Sequence, residues 1–92
     1  MVLATNKIGD FDQFWSVFST KGAAKRKEHG SRGSTVYRDA NDPGRVFVLM
    51  DIDEDGFKQL ISDPDMPAIF EEAGLAGPPE PVFVEEAGKL DS

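Results

Sequence analysis

Histidine is the one ordinary side chain that gains or loses a proton near neutral pH. This sequence has a single histidine, His29. As a general base it needs a substrate within hydrogen-bond reach and a group to orient it. Tyr37 and Arg38 follow within ten residues and offer a phenol and a cation, so His29 with Tyr37 and Arg38 is the candidate catalytic set. The competing reading is a surface histidine at a helix C-terminus, where the helix dipole favours the proton. No serine stands in a nucleophile-elbow setting. The chain has no cysteine, which excludes disulfides, zinc–thiolate sites and cysteine nucleophiles.

Two further motifs imitate known chemistry and are declined. Asp51-Ile52-Asp53-Glu54-Asp55-Gly56 matches the first half of a calcium loop, with alternate oxygen donors and a glycine for the turn. Where that loop needs a final bidentate glutamate, this chain has Ser62. The residues before Asp51 also read as a strand, where a helix is required. Gly30-Ser31-Arg32-Gly33 imitates a backbone clamp for RNA, but that clamp needs a helix on both sides, and Thr35-Val36-Tyr37 favours a strand. Neither a metal nor a nucleic acid is expected.

The elements that must position these groups follow from periodicity and punctuation. Residues 2–8 read as a strand ended by Gly9. Asp10 is a helix N-cap, and Gln13 completes a capping-box pattern. Phe11, Phe14, Trp15 and Phe18 then recur at i, i+3, i+4 and i+7, one stripe of a helix. Gly22 breaks or kinks that helix. Residues 23–29 resume it, with His29 in the last turn and Gly30 as C-cap. Residues 33–39 and 45–52 are strands joined by the turn Asn41-Asp42-Pro43-Gly44. Asp53 caps a helix carrying Phe57, Leu60 and Ile61. After Asp63-Pro64 a second helical stretch carries Met66, Ile69, Phe70 and Ala73 and ends at Gly74. Residues 81–86 are the last strand, and 87–92 a loose tail. The order is βααββααβ over a single domain, residues 1–92: an α+β, ferredoxin-like plan with helices on one face of a four-stranded antiparallel sheet.

Composition sets the outer limits. With 39% hydrophobic and 29% charged residues the chain is globular rather than disordered. The net charge of −7 argues against nucleic acid or an anionic membrane as the main partner. Residues 1–50 carry eight Lys/Arg against five Asp/Glu, and the basic run Lys21, Lys25, Arg26, Lys27, Arg32 and Arg38 reads as a solvated face paired with the acidic half. No apolar run reaches the ~18–20 residues that span a bilayer. Residues 1–8 show no basic leader followed by an apolar core. A cytoplasmic location is expected.

The sheet carries the strongest clue to assembly. A sheet covered on one side should alternate apolar and polar residues. The third strand does not: Val46, Val48, Met50 and Ile52 point one way, Phe47 and Leu49 the other. In the fourth, Val82 and Val84 oppose Phe83. Helices cover only one face. An apolar second face predicts a homodimer packed sheet to sheet. The alternative is that the C-terminal tail or a long loop covers it.

These features together (Phe14-Trp15 with Phe18, AAKR…HG, VYRD, the DPGRVFVLMDID hairpin and FEEAGLAGPPEP) resemble the dimeric α/β-barrel superfamily, with its antibiotic-biosynthesis-monooxygenase-like and cyclase-like members. The resemblance spans nearly the whole chain and rests on element order and hydrophobic placement rather than a catalytic motif. It implies two sheets forming a barrel between protomers, with any ligand between a protomer's sheet and its helices. Haem-degrading relatives use an Asn on the first strand with a His and a Trp in the second half. Asn6 meets the first condition, but Trp15 and His29 both precede the hairpin, so haem degradation is rejected. The expectation is a small homodimeric protein that binds an apolar or aromatic molecule without a cofactor, with Trp15, Phe18 and Met50 lining the site. The alternative is a cofactor-independent cyclase or monooxygenase acting on an aromatic, polyketide-like substrate.

Overall fold

The computed structural model describes residues 1–92. In chain order the elements are β1 (Val2–Lys7), α1 (Phe11–Val17), a π-helical turn (Phe18–Gly22), α2 (Ala23–Glu28), β2 (Gly33–Asp39), β3 (Asp42–Asp51), α3 (Glu54–Ser62), α4 (Met66–Glu72) and β4 (Glu80–Phe83). The strands form one antiparallel sheet in the order β2-β3-β1-β4. This is the ferredoxin-like arrangement.

Local chemistry explains most boundaries. The Asp10 carboxylate accepts from Gln13 N at 2.9 Å and starts α1. The Gln13 side chain does not return to Asp10; its Nε2 donates to Glu72 O at 2.7 Å and ties α1 to α4. Gly30 (φ +93) and Gly74 (φ +76) adopt the left-handed conformation that closes α2 and α4. Both ends show the wrapped bond of that motif, Ser31 N to Arg26 O at 2.9 Å and Leu75 N to Phe70 O at 3.1 Å.

Gly22 does not break the first helix. The chain passes through it in helical geometry by way of the π turn. A π turn leaves carbonyls poorly paired. Two hydroxyls answer them: Ser19 Oγ donates to Trp15 O at 2.7 Å and Thr20 Oγ1 to Ser16 O at 2.6 Å. The hairpin turn is also tighter than expected, at residues 40–41, with Pro43 and Gly44 already in β3. Proline is tolerated there because β3 runs past the end of β1, whose pairing stops at Lys7 opposite Arg45.

The pairing puts Val2 beside Met50, Ala4 beside Val48 and Asn6 beside Val46 on the helix side of the sheet. There they meet Phe14, Val17, Phe57, Leu60, Met66 and Ala73 in one buried cluster. The opposite face carries Leu3, Phe47 and Leu49, half-buried, with Tyr37 and Val82 exposed. Residues 85–92 are all exposed, Leu90 at 87%. The tail therefore does not cover that face. No helix is long and apolar enough to cross a membrane.

Candidate functional site

Between sheet and helices the core is incompletely filled. A cavity of about 80 Å³ lies over Ala4, Val48 and Met50 and under Phe14, Phe18, Leu60, Met66 and Phe70. Its walls are almost wholly apolar, so it favours a hydrocarbon or aromatic guest over water. Met50 and Met66 are unbranched and re-pack readily, which lets such a space grow around a guest.

Three polar residues line this wall: Thr5, whose hydroxyl donates to Val46 O at 3.2 Å, and two others with polar groups left free. Asn6 Nδ2 donates to Gly77 O at 3.1 Å, which leaves its amide oxygen as a free acceptor. Arg26 is the other. It is only 9% exposed. Its Nη2 donates to Phe18 O at 2.8 Å, and the guanidinium lies 3.6 Å above the Phe18 ring centroid. Burial lowers its pKa to about 10. The basic run reads as a solvated face, but the fold buries Arg26. The signal that would have found it is the four-residue step Phe14, Phe18, Gly22, Arg26, which continues the inward stripe.

Of the expected lining residues, Phe18 and Met50 stand at the cavity. Trp15 is 47% exposed, stacks on Phe18 with centroids 5.9 Å apart, and does not line the cavity. Neighbouring helix residues diverge by about 100°, and Phe14 takes the inward direction. Trp15 instead walls an open groove of about 400 Å³ together with Phe18, Arg26, Lys27, Arg32 and Ser34.

The candidate catalytic set does not gather at the cavity. Tyr37 and Arg38 are successive strand residues and point to opposite faces. Tyr37 is on the open face, 54% exposed, and Arg38 stacks over the Phe11 ring at 4.8 Å. His29 Nε2 lies 2.9 Å from Asp63 Oδ2, joining the end of α2 to the α3–α4 connection. Lys25 Nζ contacts the same oxygen at 3.0 Å, Asp65 at 2.7 Å and Glu28 at 3.4 Å. The His29 hydrogen bond, the Asp65 backbone N–H and Lys25 hold Asp63 well below the usual carboxylate range. Hydrogen bonds to Asp65 and Asp63 raise Lys25. Glu28, His29 and Asp63 place ligand atoms within 4.8 Å of one another, close enough to share a cation. The Lys25 ammonium already meets two of the three. At the acidic loop, Asp51 and Asp53 turn to Arg32 at 2.8 and 3.7 Å, and the loop leads into α3.

No family model matches the sequence, and no curated protein matches it closely enough to assign one. Solved structures do match in fold. A cofactor-independent oxygenase from Streptomyces nogalater, SnoaB, superposes with TM-score 0.68 at 19% identity, over 99% of this chain and 95% of that one. A candidate antibiotic biosynthesis monooxygenase from Caulobacter crescentus matches with TM-score 0.66 at 23% identity, over 95% and 88%. A Streptomyces coelicolor monooxygenase, solved in complex with nanaomycin D, matches with TM-score 0.64 at 17% identity, over 97% and 88%. The chain thus has the fold of the antibiotic-biosynthesis-monooxygenase-like proteins.

Proposed function

We propose that the protein binds a small apolar or aromatic molecule between its sheet and its helices, and does so as a homodimer. The apolar cavity carries this reading. A domain of this size gains stability from every filled void, so a space kept open at the centre of its core suits a guest. Titration with naphthylacetamide, an uncharged bicyclic probe, tests it by calorimetry. Saturable binding at one probe per chain is expected. The cavity-filling variant Ala73→Phe should abolish that binding while still melting cooperatively. Binding unchanged by Ala73→Phe would sink the reading.

The dimer is supported by the open sheet face, where Leu3, Phe47, Leu49, Tyr37 and Val82 lie without cover. Light scattering after size exclusion should give twice the 10.1 kDa chain mass. Phe47→Glu should return it to the single-chain mass. A cytoplasmic location is part of the same proposal and is compatible with a chain that has no cysteine.

A second reading is a cofactor-independent monooxygenase or cyclase on an aromatic substrate. What favours it is the activity of two fold neighbours, an oxygenase and a monooxygenase. In that reading His29, Tyr37 and Arg38 have no shared position at the cavity from which to act, and Asn6 and Arg26 are the polar groups a substrate would meet. Oxygen uptake on adding an acidic polyhydroxylated polycyclic aromatic, lost in Asn6→Ala and Arg26→Met, would favour it over binding alone.

A further inference from the structure

Arg26 is the one charged residue in the buried class; the Asp63 side chain is equally enclosed, but it is paired with Lys25 and His29. None of the ion pairs in the molecule includes it. A buried cation without a counter-charge gives up hydration and recovers little in return. What the chain supplies is one hydrogen bond, to Phe18 O, and one aromatic face. A guanidinium has five N–H donors, so most of the fork is left without a protein acceptor; those nitrogens keep access to solvent, since no fully buried side-chain nitrogen is left unpaired. The packing nevertheless makes room for it. At Gly22, one turn earlier, any Cβ would lie 2.9 Å from Arg26 Nη1.

Its position gives the arrangement a use. Arg26 and Phe18 wall two concavities at once, the apolar cavity and the open groove. The stacked pair is the partition between them. On the groove side stand Lys27, which no ion pair engages, and Arg32, which shares its charge with Asp51 and Asp53. A molecule entering from the groove passes cationic groups and then meets a guanidinium at the threshold of an apolar space.

We propose that the ligand is an amphiphilic acid: an apolar, ring-bearing body in the cavity, and two coplanar oxygens sharing one negative charge, a carboxylate or an ionised keto-enol, on the Arg26 fork. The inference rests on the cavity being the ligand site and adds the charge its occupant must carry. A planar fork matches two such oxygens with parallel hydrogen bonds. The ligand thereby provides the counter-charge that the chain omits.

Naphthylacetate and naphthylacetamide test this, because they share shape and differ in charge. Both are titrated calorimetrically into the wild type, Arg26→Met, Arg26→Lys and Gly22→Ala, each first checked for a cooperative melt. The wild type should bind the acid at least about tenfold more tightly than the amide, the scale of one charged hydrogen bond. Arg26→Met should erase the difference between the two probes. Arg26→Lys should keep part of it, since the charge stays and the fork is lost. Gly22→Ala should reduce it without removing a charge, because the added methyl displaces Nη1. A wild type that binds the amide but does not prefer the acid overturns this inference and leaves the cavity reading intact. A preference that survives Arg26→Met overturns it as well. A wild type that binds neither probe overturns both.

Discussion

Lys25 and Arg26 are neighbours on one helix with the same charge, and the fold treats them oppositely. Lys25 Nζ sits among three carboxylates, with Asp65 nearest at 2.7 Å. Arg26 sits under the helices with a carbonyl and a phenyl ring. The first is a satisfied cation that fastens α2 to the α3–α4 connection. The second is held in place by packing and left without a counter-charge. Electrostatic completeness, rather than charge or position along the chain, separates the structural cation from the one suited to a ligand.

Removing each charge with its shape retained should sharpen the contrast most. Lys25→Met leaves Glu28, Asp63 and Asp65 facing one another without their shared cation. It should lower the urea midpoint more than Arg26→Met, Asp63→Asn or Lys21→Ala. Arg26→Met should leave the unliganded protein within about 1 kcal/mol of the wild type, or above it, because an uncompensated buried charge is replaced by apolar volume. Equal losses at Lys25 and Arg26 would break the comparison.

The next effect is in pH. Asp63 is held below its ordinary value in the folded chain, with His29 the first cause. A depressed carboxylate contributes stability that is fully present above its unfolded pKa, roughly 4, and is lost as pH falls through the folded value. Urea midpoints should therefore fall on the acid side of roughly pH 4. Asp63→Asn should be less stable at neutral pH and should flatten that acid limb. Arg26→Met should leave the limb unchanged.

The smallest effect belongs to the outer contact between the same helical layers. Lys21 Nζ meets Glu72 Oε2 at 2.8 Å, with both side chains largely in solvent. Lys21→Ala should cost no more than about 0.5 kcal/mol in urea unfolding, and less in high salt.

Much of this architecture is legible in residue order. Asp10, Gly30 and Gly74 mark helix ends through chemistry that acts within a few residues. The double-sided apolar pattern of β3 exposes the need for a second cover on the sheet, because side chains alternate strictly along a strand. The site is less legible. The step from Phe14 to Arg26 holds the stripe that turns Arg26 inward, but a basic run reads first as a solvated face. The helix also passes through a π turn at Phe18–Gly22, which shifts the stripe relative to an ideal helix. Phe14 and Trp15 look equivalent as aromatics, yet their angular separation buries one and exposes the other.

Asp53 starts α3 without a side-chain cap bond, but residue order alone was enough for the βααββααβ plan, the helix ends at Asp10, Gly30 and Gly74, the absence of thiol chemistry and the two apolar faces of the sheet. Each of these depends on residue type or on periodicities of two and three to four residues. It took the packed fold to bring His29 to Asp63, 34 positions away, and to leave an unfilled space beside Phe18 and Arg26. Such pairings arise when helices settle on a sheet, where side chains distant in sequence compete for the same volume and the same charges. No local pattern records the outcome of that competition.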